Sequence, residues 1–324
     1  MKTADELLTQ VNAFLDALPY ERTPKSLYEP IRYVLSMGGK RIRPVLMLLG
    51  YNLYKEDTDK ILMNAIALET YHNYTLLHDD LMDEADKRRN KPTVHKVWNA
   101  NTAILSGDAM LIAAYQLIGS TEHGHLKQVL DLFTQTAAEI CGGQQFDMEF
   151  ESRMDVSEEE YIEMIRLKTA VLLACALKTG ALLGGASQKD ADHLYAFGIN
   201  IGLAFQLQDD LLDVYGDTAT FGKNIGGDIL CNKKTFLLIN ALRLANKEQA
   251  EALRSWMDKK EFDPAQKIQA FTSIYNELQL KQLTENKIQA YYDASVENLN
   301  ALQVAPEKLT ILKEVCDHLM HRQS

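Results

Sequence analysis

Residues 61–87 read ILMNAIALETYHNYTLLHDDLMDEADK. The segment is apolar for most of its length and contains neither Pro nor Gly, so it predicts one long buried helix with an acidic end. Asp79, Asp80 and Asp83 sit at i, i+1 and i+4. On a helix Asp79 and Asp83 lie about 40° apart on one face, and Asp80 lies within about 60° of Asp83 on the other side. Carboxylates on adjacent turns repel one another. A hard divalent cation offsets that cost. An all-oxygen donor set suits Mg²⁺, which keeps several waters and is completed by substrate phosphates. The competing reading is a solvated acidic helix end. Apolar residues run straight into the acids, which a solvated face does not require. The pattern returns at LAFQLQDDLLD (203–213), with Asp209, Asp210 and Asp213. Two chance DDxxD matches in such a chain have a probability on the order of 1%.

Outward from these helices, the prolines set the class. The chain has seven, and none lies between Val94 and Asp263. Proline blocks helix interiors, so this long clear run favours long helices. Periodicity predicts helices over 4–18, 101–119, 126–150, 157–183 and 189–215, and VLMLLGYNLY after Pro44 reads as a buried helix. Gly142-Gly143 read as a kink. Pro19, Pro24 and Pro30 punctuate a loop and short helix, and Pro44 and Pro92 frame two basic loops. RRNKPTVH reads as a polar loop, and GDTATFGKNIGGDILCNKKT (216–235) as the long loop of the second half. The expectation is one all-α domain over residues 1–324, a bundle around a central cavity.

With 324 residues, 46% of them apolar, a large core is available. The net charge of −11 argues against non-specific nucleic-acid binding, which needs a basic face. Cys141, Cys175, Cys231 and Cys316 form no CxxC pair, so they read as thiols of a reducing compartment. MKTADELL lacks a signal-peptide core. The most apolar stretch, 170–186, is interrupted by Lys178 and is short for a membrane span. A soluble cytoplasmic chain is expected.

A phosphate ligand beside acidic walls needs further cations. GGKRIRP supplies Lys40, Arg41 and Arg43, with glycines that let backbone approach an anion. Arg88 and Arg89 follow the first pentad, and Arg grips phosphate bidentately. Lys168, Lys223 and Lys233 lie beside glycine or threonine. His72, about two turns before Asp79, shares its face. Zinc spacings and GxSxG are absent.

In order, GGKRIRP, ALETYHNYTLLHDDLMDEADKRRNKPT, AILSGDAML, GGQQFD, LKTA, FQLQDDLLD, FGKNIGGD and NKKT resemble the trans-isoprenyl diphosphate synthases, the farnesyl and geranylgeranyl diphosphate synthase family. The resemblance implies the isoprenoid synthase fold, long and mostly antiparallel helices around a deep cavity, usually as a homodimer. It implies head-to-tail condensation of isopentenyl diphosphate with dimethylallyl, geranyl or farnesyl diphosphate. Matched motif by motif, Asp79, Asp80, Asp83, Asp209, Asp210 and Asp213 hold Mg²⁺, about three ions with substrate bound. Lys40, Arg43, His72 and Arg89 match the isopentenyl diphosphate site. Arg88, Lys168, Thr169, Gln206, Lys223 and Lys233 match the allylic site. Asp79, Asp83, Lys168 and Asp209 carry the chemistry, and Gln144 and Asp147 match a polar pair in the cavity. Asn232 departs from the pattern, which has Gly there. Tyr74 matches the residue that sets cavity depth and implies a C15–C20 product. Helix geometry places Tyr74 about 140° from Asp79 and favours Thr75 as the floor. Longer-chain synthases, terpene cyclases and non-catalytic partner subunits are the alternatives.

Overall fold

The computed structural model describes residues 2–18, 22–216 and 225–320. The described chain is predominantly helical, with one short hairpin, and it forms two compact units. One comprises Met1–Thr134, Cys175–Tyr195 and Gln303–Leu312; the other comprises Gln135–Ala174, Ala196–Leu302 and Lys313–Ser324.

The chain opens with α1 (Ala4–Ala17), whose start is fixed by a reciprocal capping box of Thr3 and Glu6. It continues through α2 (Lys25–Ser36), α3 (Ile42–Asn52) and α4 (Leu62–Met82). Within the first unit α4 packs on α3, and every residue of α3 from Pro44 to Asn52 is buried. That depth requires backbone-to-backbone contact. A Cβ on Gly180 would fall 2.0 Å from the Met47 carbonyl oxygen, and one on Gly50 would fall 2.7 Å from that of Leu177. Pro30 lies inside α2 and does not end it. Pro44 falls in the first turn of α3, where a missing N–H costs little.

After α4 the expected polar loop is a small hairpin. Lys87 pairs with Pro92 and Arg88 with Lys91. The two-residue turn, Arg89-Asn90, has φ of 51° and 62°, the left-handed pair that matches the twist of a tight hairpin. A four-residue helix α5 (Val94–Val97) and α6 (Ala100–Ile118) follow, and α6 packs along α4.

α7 (His123–Ser152) runs unbroken through Gly142-Gly143, so the expected kink is absent. The glycine serves close approach instead, since a Cβ on Gly143 would lie 2.4 Å from the Lys168 nitrogen. α8 (Glu158–Ile165), capped by Ser157 and Glu160, passes into a π-helical turn at Arg166–Ala170 and then into α9 (Val171–Gly184). On α10 (Gln188–Tyr215), Gly198 and Gly202 meet Ala174 and Ala170. Added Cβ atoms there would sit 2.5 and 2.6 Å from the alanine Cα atoms. Four-residue spacing on both helices lets them touch along one line.

Helices Phe236–Leu244, Lys247–Asp258, Pro264–Glu277, Leu280–Asn300 and Pro306–Met320 complete the chain. The 27 residues Glu158–Gly184 are long and apolar enough to cross a membrane, yet their most apolar window is 83% buried in protein, as in a core helix.

Gly180→Ala forces α3 and α9 apart and should destabilise the protein by about 1–3 kcal/mol. Gly142, whose Cβ position is open, should gain up to about 1 kcal/mol on substitution by Ala. Urea unfolding of the two variants checks both signs.

Candidate active site

The first pentad closes α4. Asp79 and Asp80 occupy its last turn and Asp83 caps it. Asp80 is buried, and its carboxylate accepts 2.9 Å and 2.6 Å contacts from the Nε and Nη2 of Arg88. Arg88 Nη2 also stands 3.5 Å from Asp79. Burial raises the Asp80 carboxyl above its usual range, and Arg88 limits the rise. Burial also works against the Arg88 guanidinium, but its bonds to Asp80 and the charges of Asp79 and Asp83 more than offset it. Asp83 is exposed.

Beside this helix end lie the residues matched to isopentenyl diphosphate. Lys40 is exposed just before α3, and Arg43 sits in the first turn. Arg43 Nη1 is 3.2 Å from His72 Nε2. A guanidinium only donates, so Nε2 accepts and the imidazole carries its proton on Nδ1. Burial, then the charges of Arg43, Arg89, Arg88 and Arg41, push the His72 pKa well below its ordinary value. Arg89 donates to the Gly38 carbonyl, and its guanidinium fills the space a Cβ on Gly39 would take, at 2.7 Å. Gly38 and Gly39 have φ of 79° and 133°, which only glycine adopts readily. Arg41, read from the sequence as part of the basic group, is turned inward. It is buried against Glu69 at 2.6 Å and donates to the Leu35 carbonyl. Glu69 also accepts from Asn73 at 2.8 Å.

In the second unit, the π-turn sets Lys168 and Thr169. Lys168 Nζ lies 2.6 Å from Asp147, and Lys233 Nζ lies 3.9 Å from the same oxygen. Burial works to raise the Asp147 carboxyl, but Lys233 and Lys168 override it and hold it below the usual range. Thr169 donates to Gln206 at 3.1 Å, and Gln206 donates to Asp210 at 3.1 Å. Asp210 is buried and also accepts from the Tyr161 hydroxyl. Burial, reinforced by Asp228, pushes its pKa up to about 7. The backbone N–H of Asp228 donates to the Asp213 carboxylate at 3.0 Å, and that of Gly226 to the Asp213 carbonyl at 2.6 Å. Asp209 and Asp213 are half-buried. Lys223 lies outside the described residues. Tyr161 was not singled out by the sequence, and Glu69 and the 226–228 backbone entered only inside longer motifs, because none carries a local spacing signal.

In both pentads the second aspartate is the buried one. Among the described residues no three metal-ligating side chains stand close enough to hold an ion by themselves. An all-carboxylate set that is incomplete alone fits Mg²⁺, whose shell is finished by water and phosphate oxygens. Tyr74 lies on α4 with its ring 5.4 Å from Tyr71 and 4.9 Å from His78, and Thr75 donates to the His72 carbonyl. A surface depression of about 660 Å³ lined by Ser157, Ile239, Arg243 and Arg254 contains none of these residues.

A family model described as Polyprenyl synthetase matches residues 24–275. The chain is 35% identical to a geranylgeranyl diphosphate synthase of Methanosarcina mazei over 100% of this chain and 99% of that one. It is 38% identical to a geranylfarnesyl diphosphate synthase of Natronomonas pharaonis over 71% of this chain and 72% of that one. A crystal structure of a geranylgeranyl pyrophosphate synthase matches with a TM-score of 0.94 and 42% identity, covering 100% of both chains.

Asp80→Ala strips the half-buried Arg88 guanidinium of its main partner and should destabilise the fold by about 1–3 kcal/mol. Asp83→Ala removes an exposed acid from a helix C-terminus and should change stability by less than about 0.5 kcal/mol. Thermal unfolding of both variants distinguishes the inward from the outward aspartate.

Proposed function

The chain belongs to the polyprenyl synthetase family, and on that premise we propose that it condenses isopentenyl diphosphate head-to-tail with an allylic diphosphate, releasing pyrophosphate. Residues 1–324 form one catalytic domain in this reading. The observation that carries it is preorganised positive charge in both units: Arg88 on Asp79 and Asp80 of the first pentad, and Lys168 beside Lys233 on Asp147 of α7, in the unit that holds the second pentad.

The outward carboxylates Asp79, Asp83, Asp209 and Asp213 hold Mg²⁺, while Asp80 and Asp210 fix their helix ends from within. Mg²⁺ held by these carboxylates would supply positive charge to the diphosphate of the leaving group. Arg88 supplies positive charge beside the first pentad; in the unit that holds the second pentad Lys168 and Lys233, with Lys223, supply it, and Thr169 and Gln206 orient the group that leaves. Lys40, Arg43, His72 and Arg89 hold the second diphosphate. His72 acts there as a neutral hydrogen-bonding group. The isopentenyl double bond supplies the electron pair to the allylic cation, and a proton departs to a pyrophosphate oxygen. Apolar walls keep water from quenching the cation.

The C20 product of the relative that matches over its full length is the product proposed here, with C25 as the alternative named by the other relative. Tyr74, held by a tilted ring contact to Tyr71 and an edge-to-face contact to His78, is the depth-setting group and Thr75 the neighbour that shares the role. A homodimer is supported by Leu105 and Ile112, which are 59% and 60% exposed and seven residues apart on α6. The free thiols support the reading that the protein resides in a reducing compartment such as the cytoplasm.

Incubation with Mg²⁺, isopentenyl diphosphate and dimethylallyl, geranyl or farnesyl diphosphate should yield a linear C20 diphosphate. A chelator should abolish turnover and added Mg²⁺ restore it. Product made without isopentenyl diphosphate would indicate a cyclase and overturn the reading. Tyr74→Ala should lengthen the product; an unchanged length would remove Tyr74 from the role.

Leu105→Asp combined with Ile112→Asp should halve the mass seen by sedimentation equilibrium. A variant that sediments like the parent protein would place the interface elsewhere.

A further inference from the structure

Asn232 stands immediately before Lys233, and its backbone has φ of 56°. That left-handed conformation costs a non-glycine residue about 1–2 kcal/mol, and glycine would adopt it freely. The side chain present here is used at both ends. Its Nδ2 donates to the Met257 carbonyl at 3.1 Å, and its Oδ1 accepts from Lys267 Nζ at 2.8 Å. Lys267 is fully buried, an unusual place for an ammonium. It donates a second bond to the Leu230 carbonyl at 3.1 Å and lies 4.3 Å from the ring centroid of Phe262. Both bonds of Lys267 therefore end on the segment that leads into Lys233.

The same helix, Pro264–Glu277, holds the other end of that segment. Gly226 presses on Ile268 so closely that a Cβ would fall 2.6 Å from it, and Gly226 N–H donates to the Asp213 carbonyl. Between these anchors the Lys233 backbone is pinned on both sides: its N–H donates to the Asp228 carbonyl at 2.9 Å, and its carbonyl accepts from Thr235 at 2.8 Å. The next residue, Lys234, is buried and donates to the Asn232 and Glu151 carbonyls. Lys233 is thereby directed outward, half-exposed and near Asp147.

We infer that Lys267 is a positioning residue for the allylic diphosphate site, acting through Asn232 to hold Lys233 in place. The inference rests on the proposed prenyl transfer and adds a residue to it that contacts no substrate. It also accounts for Asn at 232: the amide exchanges the backbone ease of glycine for a link to the buried ammonium.

Lys267→Met leaves the Leu230 and Asn232 acceptors unpaired in the core, a cost to folding in its own right, so Asn232→Gly is the primary variant, since glycine suits the backbone there. Hydrogen exchange of the amides at 226–235 should accelerate in Asn232→Gly. Its KM for the allylic diphosphate should rise about tenfold, the effect of one charge-assisted hydrogen bond, while KM for isopentenyl diphosphate stays within about twofold. The double variant with Lys267→Met should raise the allylic KM no further than the larger single effect, because both remove one link. Unchanged exchange, equal shifts of both KM values, or additive effects would overturn the inference. Failure of the parent protein to turn over any allylic diphosphate would instead overturn the proposed function, and the exchange result would still report on the clamp.

Discussion

An apolar helix that ends in adjacent carboxylates has to place at least one of them where the core begins. That constraint organises both pentads. Each solves it by turning its second aspartate inward and giving it a specific partner. Asp80 takes the guanidinium of Arg88. Asp210 takes the Tyr161 hydroxyl and the Gln206 amide. A charge paired with a charge differs from a charge met by neutral donors. Asp210, with no cation bonded to it among the described residues, is the one pushed up to about 7 by burial. Fixing the inner aspartates leaves the outer ones at the helix surface with their helix ends already defined.

The helices that carry these groups are brought together by small residues. Gly180 and Gly50 let α3 reach α9 backbone to backbone, and Gly198 and Gly202 do the same for α10 against Ala174 and Ala170. Gly143 admits the π-turn that sets Lys168 and Thr169. A π-turn inserts an extra residue into the helical register and is often found at functional sites. Here it turns two consecutive polar side chains to adjacent partners, Asp147 for one and Gln206 for the other. The packing and the site thus share one set of glycines.

Much of this was legible because long periodic helices and repeated acidic pentads are local signals. The helix ends near 118, 152 and 215 follow from periodicity and breakers alone. What the sequence concealed depends on partners far away in the chain. Gly142-Gly143 read as a kink because a lone sequence cannot show the opposing backbone at Lys168. Arg41 read as one more cation because Glu69, its buried partner 28 residues later, carries no mark of burial. The Arg89-Asn90 hairpin lacks the Asn-Gly signature of its turn type. Lys267 sits in an ordinary amphipathic helix and gives no hint that it is buried. The departure at Asn232 was visible, but its meaning required the ammonium that it meets.

The basic corner of the first unit shows what the fold leaves unpaid. Arg41 and Arg88 have carboxylate partners in Glu69 and Asp80. Arg43 and Arg89 are instead bonded to neutral acceptors, an imidazole nitrogen and a backbone carbonyl. Burial lowers both of their pKa values, Arg43 to about 10. Arg43 thus remains a guanidinium at neutral pH, and the surrounding charge keeps His72 neutral. A neutral acceptor orients a guanidinium without cancelling its charge. Positive potential accumulated in this way costs folding stability through mutual repulsion. Retaining it makes physical sense where an anion supplies the missing charge, and a diphosphate matches the arginine forks in both charge and geometry. Carboxylates beside Arg43 and Arg89 would steady the fold and abolish that attraction, so the neutral partners suit the corner to the anion binding proposed for it.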